Sequence, residues 1–249
     1  MTFTLVKENA AQICIDSHVA DYKGLKHVAK ILAGDILTVT GKEPEIVEQI
    51  QNVPQIVAAT KGTSDILAKW EEEKKIDLSV LEGKREVFMV QLIEEDGAEK
   101  LVIVGTETIA TLYGLYYISE NIGVSPWVYW ADVVPAPKKE IVFDKSICTV
   151  SKEPSVRYRG FFMNDEWPSL GNFVMNTFGD FNEFFYEKVF DLLLRLKGNY
   201  FWPAMWSASL PLDGSEDPLA ILKLGTELGI TIGQSHHEPL TRASEEWDK

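Results

Sequence analysis

Cysteine is scarce in this sequence of 249 residues, and long hydrophobic runs are missing from it. The two cysteines, Cys14 and Cys148, lie far apart, which excludes a disulfide framework and provides no metal-ligand spacing. No apolar stretch approaches the roughly 18 to 20 residues of a membrane-spanning helix. The first residues, MTFTLVKENAAQ, lack the apolar core of a secretory signal. We therefore expect a cytoplasmic protein with reduced thiols and no membrane partner.

Basic residues are also few. The chain has 24 lysines and arginines against 38 aspartates and glutamates, which gives a net charge of −14. An acidic surface repels phosphate backbones, so nucleic acid is excluded as the expected partner. Hydrophobic residues make up 45% of the chain, which is enough to bury a core in one large domain or two ordinary ones.

Residues 1–150 alternate strand-like and helix-like segments, which predicts an α/β accessory domain. Asp96 and Gly97 separate two apolar runs and predict the turn of a β-hairpin. The predicted elements are strands at 12–16, 54–60, 86–94 and 100–105, helices at 21–37, 64–75 and 107–121, and a short strand after the prolines of 133–146. The segment SKEPSVRYRG (151–160) is interpreted as a linker into a second unit.

Residues 151–249 predict a β-α-β-α-β unit with strands at 156–163, 199–206 and 230–235. Asp180 with Glu183 resembles a capping box that opens the first helix, and Asp217-Pro218 is interpreted as the start of the second. The strands are nearly continuous apolar runs, which predicts that both of their faces are covered.

Polar and aromatic residues follow each of these strands, at the end where (β/α)₈ barrels place their active sites. Three strands cannot close a barrel, so the pattern leaves a small open sheet or the first three βα units of a truncated TIM barrel. We favour the truncated barrel because no closing element follows.

The segment NDEWP after the first of these strands is the main candidate for chemistry. Asn164, Asp165 and Glu166 lie between an apolar run and Trp167. A capping role is the simpler alternative, since Asp and Asn often satisfy free backbone amides after a strand. An apolar wall raises the pKa of a nearby carboxyl, as a general acid requires. Neighbouring residues of an extended chain point in opposite directions, so Asp165 and Glu166 need a partner carboxylate from another strand.

Aromatic residues dominate the second strand end. Trp202 and Trp206 follow Asn199 and bracket a proline. We assign these three residues to substrate binding, together with Asn164 and Trp167. Core packing is one interpretation, and a carbohydrate-binding platform is the other, since flat rings with a polar N–H suit the mixed faces of a sugar.

The third strand end carries SHHEP, with His236, His237 and Glu238. Adjacent histidines on a strand diverge, whereas chelation uses His-x-His on a strand or an i, i+4 pair on a helix. We therefore predict no metal and no cofactor here, and assign the two histidines and Glu238 to substrate binding.

Three long strings carry a family resemblance: RGFFMNDEWPSLG, FNEFFYEKVFDLLLRLKGNYFWPAMW and GQSHHEPLTRASEEW. They resemble the start of the catalytic domain of glycoside hydrolase family 115, the xylan α-1,2-glucuronidases. The stretch GTETIATLYGLYYISENIGVSPWVYWADVVP resembles the end of the α/β domain that precedes the barrel in this family.

The resemblance implies a hydrolase that removes (4-O-methyl)glucuronic acid side chains from glucuronoxylan, or from its oligosaccharides, with inversion and without metal. It implies a uronate pocket that includes Asp165, Trp206 and the histidines of SHHEP. The general acid and base are implied to lie partly on later barrel strands, so we do not expect this chain alone to be active. A homodimer of the full-length protein is a further expectation.

Two alternatives remain open. One is another exo-glycosidase of similar two-domain layout, acting for instance on an amino sugar, and the other is a non-catalytic carbohydrate-binding fragment.

Overall fold

Residues 2–16, 22–164, 166–205, 210 and 214–234 are described by the structure, which is a computed structural model. The chain divides into two units, Met1–Ser155 and Val156–Lys249, named unit 1 and unit 2 below. The boundary predicted after residue 150 lies shortly before this division.

Unit 1 is a mixed α/β layer structure. Its elements, in chain order, are β1 (Phe3–Val6), β2 (Gln12–Ile15), α1 (Tyr22–Thr40), β3 (Ile46–Val47), β4 (Gln55–Thr60), α2 (Asp65–Glu72), β5 (Phe88–Glu95), β6 (Ala98–Gly105), α3 (Thr108–Asn121), β7 (Ile141–Phe143) and β8 (Thr149–Val150).

Six of these strands form one sheet, in the order β3-β2-β4-β6-β5-β8. The first four are parallel, while β5 runs antiparallel to both β6 and β8. All six residues of β4 are buried, because α1 and α3 lie on one face of the sheet and the side chains of α2 pack on the other. Such two-sided cover is what runs of apolar residues in parallel strands require.

Local signals predicted the main elements of unit 1. Leu25, Val28 and Leu32 recur at helical spacing on the buried side of α1. Asp96 and Gly97 have φ angles of 51° and 79°, as the tight turn between β5 and β6 requires. Sequence analysis missed β1, which pairs with β7 in a separate antiparallel ribbon, and β8, which extends the main sheet.

Unit 2 repeats strand and helix. Its described elements are β9 (Gly160–Phe162), α4 (Ser169–Phe178), α5 (Glu183–Arg195), β10 (Tyr200–Trp202), α6 (Ala220–Glu227) and β11 (Thr231–Ile232). The strands are parallel in the order β11-β10-β9, with Tyr200 opposite both Gly160 and Thr231.

The helices of unit 2 correct two predictions. Helix α5 begins after Asn182, whose side chain accepts hydrogen bonds from the N–H groups of Phe184 and Phe185, so the capping box at Asp180 is wrong. Asp180 instead accepts a bond from the N–H of Phe181. Helix α4 was not predicted because it lacks a side-chain cap and buries only Gly171 and Val174, which makes no apolar stripe.

Helix α6 begins later than predicted: its N-cap is Leu219, without a side-chain cap, so the start at Asp217-Pro218 is wrong. Asp217 lies just before the helix. Its carboxylate accepts bonds from the N–H of Leu219 and from Lys223, and the lysine holds the pKa of Asp217 below its usual range. Within the described part of the chain, none of the helices combines the length and apolar character needed to cross a bilayer.

Candidate functional site

The three-stranded sheet of unit 2 has two different faces. On one face, Phe201 is fully buried and its ring lies 5.8 Å from Tyr186 and 5.5 Å from Phe190 of α5. On the other face, which we call the open face, Phe162 and Trp202 remain 41% and 39% exposed. The described residues cover only the first of these faces, so the cover predicted for the open face stays a prediction.

Phe162 and Trp202 form an aromatic pair on the open face. They lie opposite each other in the register of β9 and β10, and their ring centroids are 5.2 Å apart. Trp202 was predicted from the sequence and Phe162 was not, although the alternation of side chains along a strand places Phe162 on the face opposite its partly buried neighbour Phe161. Together the two rings form an apolar surface at the carboxyl end of two adjacent strands.

The chain that leaves β9 carries the predicted polar residues. The side-chain amide of Asn164 donates a 3.0 Å hydrogen bond to Oε1 of the exposed Glu166. The N–H of Met163 donates to the carbonyl of Trp202, which extends the β9–β10 pairing to the base of this turn. A carboxamide and a carboxylate that bond to each other thus follow β9 in the chain, and hydroxyl groups of a sugar can bond to both polar groups.

Trp167 follows directly and is 60% exposed. Its indole lies over Gly171 in the first turn of α4, so close that a Cβ on Gly171 would stand 2.4 Å from two indole ring carbons. The N–H of Gly171 also donates a 3.1 Å bond to the carbonyl of Glu166. Sequence analysis did not single out Gly171, although its spacing of four residues from Trp167 places the two on one side of a helical turn.

Asn199 does not belong to this site. It precedes β10, at the amino end of the sheet, and only 7% of its surface is exposed. Its carboxamide accepts a bond from the N–H of Arg159 and donates one to the carbonyl of Arg157. The position and these contacts correct the prediction of substrate binding, because both ends of the carboxamide join the start of β10 to the segment before β9.

Five predicted site residues lie outside the described residues: Asp165, Trp206, His236, His237 and Glu238. Among the residues that are described, no cluster of three His, Cys, Asp or Glu side chains is arranged to hold a metal ion.

Comparison with known proteins matches residues 151–249 to glycosyl hydrolase family 115. A solved structure, the family GH115 4-O-methyl-α-glucuronidase BtGH115A with specificity for decorated arabinogalactans, is 32% identical over 96% of this chain, with a TM-score of 0.77. The chain belongs to glycoside hydrolase family 115. It spans 30% of the length of that solved enzyme.

Members of family 115 are glycoside hydrolases. The N-acetyl-β-hexosaminidase of Streptomyces plicatus shares the fold more distantly, with a TM-score of 0.51 and 10% identity over 94% of this chain and 42% of its own. A search of curated proteins gives no match. The family membership and the mixed α/β fold predicted from the sequence are thus confirmed.

Proposed function

We propose that this family 115 protein removes α-1,2-linked (4-O-methyl)glucuronic acid side chains from glucuronoxylan. The observation that carries the proposal is the 32% identity, sustained over 96% of the chain, with a 4-O-methyl-α-glucuronidase. The aromatic pair of Phe162 and Trp202, with the exposed Glu166 four residues after Phe162, supports it, because apolar rings combined with a few polar groups are typical of carbohydrate sites.

The proposed architecture is the first three βα units of a (β/α)₈ barrel. Three parallel strands with α5 packed on one face have the arrangement of a barrel wall, in which helices lie outside and strand side chains fill the interior. The open face is then the interior face, and NDEWP lies at the end of the barrel that carries the active site.

The proposed mechanism is inverting. Two carboxyl groups about 6.5 to 9.5 Å apart would act as general acid and general base with a water between them. Asp165 and Glu166 are the candidates in this chain, and because they are neighbours, the partner carboxylate comes from another strand, such as Glu238 or a residue outside this chain. His236 and His237 would donate hydrogen bonds to the uronate carboxylate.

A second candidate substrate is a glucuronic-acid-decorated arabinogalactan. The solved relative is specific for decorated arabinogalactans, and the resemblance extends over both units of this chain. The enzyme would again hydrolyse the linkage of a glucuronic acid side chain, but the main chain of the polysaccharide would be an arabinogalactan and not a xylan.

The test is an assay of the full-length protein on glucuronoxylan oligosaccharides, on an acidic arabinogalactan and on an aryl N-acetylhexosaminide. We expect release of 4-O-methylglucuronic acid from the first, and proton NMR during the first minutes should show the β-anomer that inversion of an α-linkage produces. Release from arabinogalactan alone would favour the second candidate. Release of hexosamine without uronic acid, or binding without turnover, would contradict the proposal.

A further inference from the structure

We propose that Gly171 is a positioning residue that fixes Trp167 as a sugar-stacking wall of the site. The inference rests on the proposed function and adds to it a residue that leaves the space beneath the indole.

The geometry beneath the indole supports this role. A Cβ on Gly171 would lie 2.4 Å from Cδ2, 2.4 Å from Cε2 and 2.8 Å from Nε1 of Trp167. Real Cβ atoms do not approach other atoms so closely, so any side chain at this position requires a shift. The two carbons form the bond shared by the fused rings, and a rigid ring cannot bend away as the tip of a flexible side chain can. The whole indole, or the turn that carries it, must therefore move.

Gly171 is otherwise an unfavourable choice at this point of the fold. It is buried in the first turn of α4, where alanine would stabilise the helix more than glycine does. The glycine thus permits one contact, the close approach of the indole, at some cost to helix stability.

Gly171 also holds the turn that leads to the indole. Its N–H donates to the carbonyl of Glu166, the residue directly before Trp167. An alanine keeps this N–H, so Gly171→Ala changes the place of the ring while leaving the backbone bond available. The indole is 60% exposed even though it is fixed from below, which presents a pre-organised apolar surface beside Glu166.

The experiment compares Trp167→Ala, Gly171→Ala and the double variant in the full-length protein, with a 4-O-methylglucuronosyl xylo-oligosaccharide as the probe. We expect each single variant to raise KM about tenfold, the size of the loss of one aromatic contact. The double variant should be no worse than Trp167→Ala, because residues that act as one unit are not additive. The value of kcat should stay close to wild type, since no proton-transfer group is replaced.

The matched control is Gly34→Ala. Gly34 also lies inside a helix, α1, and a Cβ there meets nothing within 4 Å, so KM should not change. The inference is overturned if Gly171→Ala keeps the wild-type KM, or if it still raises KM in the absence of the Trp167 ring. Wild-type protein that releases no uronic acid would contradict the proposed function as well, whereas normal turnover with an unaffected Gly171→Ala variant contradicts the inference alone.

Discussion

The two sheets of this protein differ in how their faces are covered. In unit 1, β4 has no exposed residue, since helices or their side chains lie on both faces of the sheet. In unit 2, α5 covers the face of Phe201, while Phe162 and Trp202 remain about two-fifths exposed on the open face. The described residues therefore cover both faces of the first sheet and one face of the second, and the proposed function uses the aromatic pair of the second sheet.

The largest difference is expected between two tryptophans. Trp70 is fully buried between α2 and the sheet of unit 1, so Trp70→Ala should lower the free energy of unfolding by about 3–5 kcal/mol. Trp202→Ala, on the open face, should lower it by less than about 1.5 kcal/mol, because the side chain is already partly in water. Urea unfolding of both variants checks this, and equal losses would contradict the distinction between the two sheets.

A smaller effect is expected at Glu95, a carboxylate of unit 1 with only 2% of its side chain exposed. Burial alone would raise its pKa, but hydrogen bonds from Lys69 and Lys75 lower it to about 2. The folded pKa lies below the ordinary value of 4.5, so this contribution to stability is complete above pH 4.5 and is lost as the pH falls towards 2.

Glu95→Gln should lower the free energy of unfolding at pH 7 by about 1.5–3 kcal/mol, the range for hydrogen bonds to a charged group. It should also flatten the loss of stability between pH 4.5 and 2. The matched control is Glu94→Gln, because Glu94 is the exposed neighbour on the same strand. An equal pH dependence in wild type and Glu95→Gln would contradict the assignment.

The smallest effect concerns the two thiols of unit 1. Burial raises the pKa of Cys14 to about 12, whereas Cys148 is partly exposed. A thiol reagent such as Ellman's reagent should label Cys148 in the native protein at pH 8 and leave Cys14 unmodified, because the thiolate is the reacting form. Labelling at equal rates would mean that the interior of unit 1 is open to solvent.

The sequence predicts elements whose signals are local. The helix predicted at 21–37 and the Asp96-Gly97 turn rest on local signals alone, and both are confirmed. The β1–β7 ribbon was missed because it pairs Phe3 with Phe143, and no local pattern indicates a partner so distant in the chain.

The candidate site shows the same limit. Asn164, Glu166 and Trp167 were predicted as site residues because polar and aromatic residues after a strand are a local signal. The role of Asn199 could not be predicted, since it depends on contacts with residues about forty positions earlier. The contact between Gly171 and the indole could not be predicted, because it depends on the close approach of Trp167 in the folded chain.

The central claim is that the strand ends of unit 2 carry glycosidase chemistry through Asp165. The most direct test is kcat/KM for release of 4-O-methylglucuronic acid by the full-length Asp165→Ala variant, with Glu187→Gln on α5 as a carboxylate control outside the site. The account predicts a loss of about 10²–10⁴-fold for Asp165→Ala, with an unchanged circular dichroism spectrum, and near wild-type turnover for the control. Near wild-type turnover in Asp165→Ala would contradict it and would return Asp165 to a capping role.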